Sequence, residues 1–115
     1  MIAWKQAYTV DGRNRVIVKL FIPDDAKVCY IPKGRHLQFD RCRCDRALVL
    51  DITSRDGFHR VERAMSMRMD DRCRHVYYEV GKVSRPSSYS GDSRRRFAPG
   101  LYFFWDRQQA LDYVY

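Results

Sequence analysis

Two sets of side chains in this sequence have the types and spacing for metal or acid–base chemistry. Cys42 and Cys44 are separated by one residue, as are Cys73 and His75, so on extended backbone each pair points to one face. Together the four would make a tetrahedral zinc site. Zinc ligand pairs usually have about two to four residues between them, however, and the intervening arginines Arg43 and Arg74 repel a cation. Separate reduced cysteines, without metal or any other cofactor, are therefore expected. Cys29 and His36 stand alone and read as a packed thiol and a turn histidine. Acid–base chemistry has little to draw on. Glu62 and Glu79 are the only glutamates, and the neighbours Asp24-Asp25 and Asp70-Asp71 would diverge to opposite faces of a strand. Both aspartate pairs read as turn residues, and no catalytic constellation forms.

Arginine is the third candidate chemistry. The formal net charge of +8 rests on seventeen arginines against five lysines. A planar guanidinium suits bidentate contact with phosphate or carboxylate, so an anionic partner is expected. Arg41, Arg43 and Arg46 share one polar stretch, and Arg94, Arg95 and Arg96 share another. With Tyr77, Tyr89 or Trp105 available for stacking, these six arginines are the candidate nucleic-acid or anion-binding set. The competing reading is an ordinary solvated face.

A single domain over residues 1–115 must position these groups. With 45% hydrophobic and 14% aromatic residues, 115 residues are enough for one core and too few for two. No apolar run approaches the roughly eighteen residues of a membrane span. The start Met-Ile-Ala-Trp-Lys lacks the form of a signal peptide, so a reducing interior is the expected setting. Ile2, Trp4, Tyr8 and Val10 alternate with mostly polar neighbours, Asp11-Gly12 interrupts, and Val16, Val18, Leu20 and Ile22 alternate again, which predicts a hairpin. Short strands are predicted at 28–31 and, after a turn at Pro32-Lys33-Gly34, at 35–39. Another runs over 47–52 and ends at Ser54-Arg55-Asp56-Gly57. Residues 58–69 fit a strand through Met65, Met67 and Met69, and equally a helix through Val61, Ala64 and Met65.

The later chain reads more simply. Residues 76–83 predict one strand and 84–96 a long polar loop. Pro99-Gly100 then leads an apolar run over 101–105 that predicts a mid-sheet strand buried on both faces. Asp106 and Gln109 have capping-box spacing, and the helix they start would lay Ala110, Leu111 and Val114 on the sheet. The fold class expected is α+β: a mostly antiparallel, strongly bent β-sheet with a short C-terminal helix packed on it.

The order Leu20-x-Ile22-Pro23-x-x-Ala26, Cys42-Arg43-Cys44-Asp45-x-Ala47-x-Val49-Leu50-x-Ile52, Tyr78-x-Val80-Gly81 and Pro99-Gly100-Leu101-Tyr102-Phe103-Phe104, with Ala110 and Tyr113, resembles the domain-of-unknown-function 5758 family, DUF5758. The resemblance runs from about Val16 onward, leaving the first strand and the Arg94-Arg95-Arg96 cluster as departures. It implies an origin in large DNA viruses or phages and a stand-alone form of a module often fused to pentapeptide-type repeats. It carries no activity, because the shared glycines, prolines, aliphatics and aromatics describe a fold. The run Gly100 to Phe104 also resembles ADP-ribosyltransferase-like folds, which would cast Glu79 as a catalytic acid, although the partners it would need are not recognisable. The function expected is that of a non-enzymatic viral accessory or minor structural protein, capsid-associated, in the virion or host cytoplasm. It would dock on acidic surfaces of viral or host proteins, with an N-terminal edge strand open to strand addition. The alternative is a basic module for nucleic acid or a nucleotide, including one that sequesters a nucleotide signal of host defence. An ADP-ribosyltransferase-like enzyme is the second alternative.

Overall fold

The computed structural model describes residues 1–31, 41–69, 74–95 and 98–113. The predicted turn at Pro32-Lys33-Gly34, the strand at 35–39, His36, Asp70-Asp71, Cys73, Arg96 and Val114 lie outside them. Strands β1 (Ile2–Tyr8) and β2 (Arg15–Phe21) form the predicted hairpin, in register from Ile2 opposite Phe21 to Tyr8 opposite Arg15. Its loop is longer than a two-residue turn. Asp11 Oδ1 accepts from the Arg13 amide, and Gly12 takes the positive φ of 75° that the reversal needs.

Strand β3 (Val28–Ile31), strand β4 (Arg41–Cys44), strand β5 (Ala47–Ser54) and strand β6 (Arg63–Ser66) follow, the last settling the ambiguous segment as extended. The stretch 76–83, predicted as one strand, is two: β7 (Tyr77–Glu79) and β8 (Val83–Ser84). Gly81, at φ 86°, breaks it, and the Lys82 amide donates to Glu79 O across the turn. Strand β9 (Leu101–Phe103) and helix α1 (Arg107–Asp112) complete the chain. Six strands form one sheet in the order β7-β6-β1-β2-β5-β8, and β3-β4-β9 form another, every pairing being antiparallel. The architecture is thus mostly antiparallel sheet with one short C-terminal helix, but neither sheet is strongly curled, so the expected strong bend is not confirmed.

Two expectations about strand position need correction. β9 is an edge strand of its sheet, and Phe104 beyond it exchanges both backbone hydrogen bonds with Trp4, at 2.7 and 2.8 Å. The terminal run therefore stitches one sheet to the other instead of lying inside either. Both of its faces are largely covered, as expected: Leu101 and Phe103 are buried on one and Phe104 on the other, with Tyr102 half-buried and Trp105 exposed at the end of the run. β1, expected as an open edge, lies between β6 and β2. Its inward face is Ala3, Lys5 and Ala7, all buried, and Ile2, Trp4 and Tyr8 face the other way. Small side chains occupy that face because the neighbouring core is already filled by Val16, Val18, Leu20, Val49, Ile52, Tyr78, Leu101 and Phe103.

Helix α1 begins as predicted. The Asp106 carboxylate accepts from the Gln108 amide at 3.0 Å, and Ala110 is buried against Ile17 and Phe104. Gln6 crosses from β1 and donates Nε2 to Ala110 O at 2.7 Å, supplying one of the carbonyls orphaned at the helix end.

Candidate functional site

Strand β4 alternates, and both of its faces are covered. Cys42 and Cys44 enter the main core, where burial pushes the Cys44 thiol up to about 12. Arg43, on the opposite side, is fully buried as well. The loop at 85–95 lies over it, and its guanidinium donates to three backbone carbonyls: Nε to Ser90 O at 2.7 Å, Nη1 to Arg95 O at 2.8 Å and Nη2 to Asp92 O at 2.7 Å. Arg43 thus leaves the solvent-facing arginine set that the sequence suggested. It is a strut that fastens the polar loop to the sheet, since a loop without ladder partners satisfies its carbonyls through a fork of N–H donors.

The other arginines are dispersed. Arg46 pairs with Asp25 at 2.5 Å and with Asp45 at 3.4 Å. Arg94 grips Asp92 through two bonds, Nε to Oδ1 at 3.0 Å and Nη2 to Oδ2 at 3.1 Å. Hydrogen bonding from Arg94 holds the Asp92 carboxyl below its ordinary value. Arg41 enters the described structure through its backbone pairing with Ile31, and Arg96 lies outside it. Arg95 is exposed and faces a cavity. Among the proposed stacking residues, Tyr77 is exposed, Trp105 packs edge-on against Phe103 at 4.8 Å, and Tyr89 packs on Cys29.

Of the candidate zinc ligands, Cys42, Cys44 and His75 are not grouped, and Cys73 lies outside the described residues. His75 sits beside β6 with Nδ1 2.8 Å from Ser66 O, and among the described residues no three His, Cys, Asp or Glu side chains are grouped to hold a metal. Glu79, the candidate catalytic acid, pairs with Lys82 at 3.1 Å and Arg63 at 3.3 Å. The Lys82 bond holds its carboxyl below the ordinary range, the opposite of what a proton donor needs.

The cavity at Arg95 has a volume of about 320 Å³ and lies between β1, the β6–β7 end of the large sheet, the 85–95 loop and β9. Three cationic residues, Lys5, Arg68 and Arg95, line it, and among the described residues no aspartate or glutamate does. Lys5 is 7% exposed, donates Nζ to Tyr102 O at 2.9 Å and lies 5.9 Å from the centre of the Tyr78 ring. The hydroxyl of Ser88, also in the wall, is buried without a hydrogen-bond partner among the described residues. Methionines, prolines and tyrosines make up much of the remaining wall, so an apolar body and an anionic group would both find complementary surface. Sequence reasoning missed Lys5 and Arg68. A lysine between two alanines on a strand, Ala3-x-Lys5-x-Ala7, was the readable signal, because it places a cation on the face that small residues mark as crowded.

The chain belongs to a family of unknown function, DUF5758, whose model matches residues 1–110. That match starts at the first residue, so β1 lies within the family's span and is no addition to it. No curated protein and no solved structure matches the chain.

Proposed function

We propose that this domain is a non-catalytic binding module for a small anionic ligand, of the nucleotide class, held in the cavity between β1, β9 and the 85–95 loop. The observation that carries this reading is the wall of Lys5, Arg68 and Arg95, with no carboxylate among the described lining residues. Cations gathered in a partly enclosed space favour an anion more than the same charges spread over solvent. At about 320 Å³ the space is at the small end of ligand pockets, which run from roughly 300 to 1,000 Å³, so one nucleotide fits the reading better than a strand. Calorimetric titration with AMP at physiological salt tests it. Binding that weakens about tenfold in Lys5→Met, with the circular dichroism spectrum unchanged, is the expected result. Absence of binding by AMP, cyclic AMP and inorganic phosphate alike would remove the reading.

A second reading, that of an accessory or minor structural piece of a viral particle acting through protein contacts, is favoured by a separate surface. Ile2, Phe21, Leu48 and Val83 are cross-strand neighbours on β1, β2, β5 and β8, and Ile2, Phe21 and Val83 are exposed. Helix α1 covers the far end of this face and leaves that row bare. A contiguous exposed apolar row is the kind of surface that partners cover. Phe21→Lys separates the readings: it would prevent incorporation into purified particles while leaving AMP binding as it was.

A further inference from the structure

We infer that the cavity selects a phosphate monoester, a dianion, over a phosphodiester, and that Arg43 is the positioning residue that sets Arg95 on it. The inference rests on the anion-binding reading above and names the class of anion. Lys5 in β1, Arg68 just beyond β6 and Arg95 in the loop all line the cavity, so its cationic residues come from three separate segments of the chain. Opposing charge from three segments matches a terminal phosphate, whose oxygens are reachable from several sides. A diester presents fewer oxygens and a single negative charge. The apolar remainder of the wall, including Met67, Pro86 and Leu101, suits the organic body of the ester. The Ser88 hydroxyl, buried in that wall and without a described partner, adds a donor for the same group.

Arg43 reaches the cavity through its wall. Its Nη1 holds the Arg95 carbonyl at 2.8 Å, and the Arg95 amide is in turn bonded to Asp92 O, which accepts from Arg43 Nη2. On the other flank Gly100, a lining residue, lies so close that an added Cβ would stand 2.9 Å from Arg43 Cδ and 3.0 Å from its Cβ. One buried side chain therefore fixes two places in the wall, and one of them carries a ligand-facing cation. No carboxylate among the described residues neutralises Arg43. Its charge adds to the positive potential behind the wall, which a dianion answers more fully than a monoanion.

Titration of the full chain with AMP, cyclic AMP and inorganic phosphate decides the matter. AMP is expected to bind at least about tenfold more tightly than cyclic AMP, and inorganic phosphate to compete with AMP for the same site. Arg95→Gln should weaken AMP about tenfold and narrow its advantage over cyclic AMP. Arg43→Lys, which keeps the charge but cannot reach three carbonyls, should produce the same loss, and the double variant no more than either alone. Additive losses, with the circular dichroism of each variant native, would overturn the positioning role of Arg43. If Arg43→Lys does not fold, Gly100→Ala, which presses on the same side chain, takes its place in the cycle. Cyclic AMP binding as tightly as AMP would overturn the monoester selection while leaving an anion-binding module standing. No binding by any of the three would remove both.

Discussion

Strand β4 and the loop that covers it carry the same residue type under opposite conditions. In β4, Arg43 is sealed from water and bonded to backbone alone. In the loop, Arg94 is 90% exposed and pairs with a neighbour two residues away. Burial removes the alternative of hydration, so each of the three Arg43 hydrogen bonds matters, whereas water can replace either bond of Arg94. A cluster of arginines in a sequence is thus a mixture of struts and surface charges, sorted by what lies over each one.

The sharpest way to break this contrast is Arg43→Met, which leaves the three loop carbonyls without their donor. It should destabilise the domain by about 3–5 kcal/mol in urea unfolding. A loss below about 1 kcal/mol would mean that the strut is dispensable. An alkaline titration examines the same strand by another route. The Cys44 thiol titrates near 9.0 ordinarily and near 12 when buried, so the unfolded chain ionises first. Stability tied to this thiol is complete below pH 9 and falls as pH rises toward 12, and Cys44→Ala should remove that part of the fall. Gly100→Ala presses a methyl against the Arg43 stem and should cost about 1–3 kcal/mol, read as a lower midpoint of thermal unfolding. At the small end, Arg94→Ala should change stability by less than about 0.5 kcal/mol. An effect from Arg94 comparable to that from Arg43 would erase the distinction between the regions.

What could be read from the sequence followed what local chemistry controls. The hairpin of β1 and β2, the reversal at Gly57 and the cap at Asp106 all depend on residues close in the chain, and all stand where they were expected. Long-range partners were not legible. The inward face of β1 was not legible, because Trp4 and Tyr8 are more apolar than Ala3 and Ala7, yet space inside was scarce and the small residues took it. Residues 76–83 looked continuous because Gly81 was the sole mark of the turn, and glycine alone does not show which way a strand leaves. Of the six candidate arginines, only Arg95 is described facing the cavity. Its companions there, Lys5 and Arg68, come from segments far apart in sequence, and only tertiary pairing brings them together.

The stitch between Trp4 and Phe104 bears on how the chain acquires its fold. Two backbone bonds join residues one hundred positions apart, and Gln6 reaches Ala110 across 104. Contacts of such separation are costly to close and form slowly, so folding should be slow for a domain of this size. During synthesis β1 emerges before the other strands of the domain and waits for its last neighbour until Phe104 has been made. The β1–β2 hairpin would meanwhile expose Ala3, Ala7, Val18 and Leu20, the very surface the mature core hides, and a nascent chain stalled before residue 101 would carry that surface uncovered.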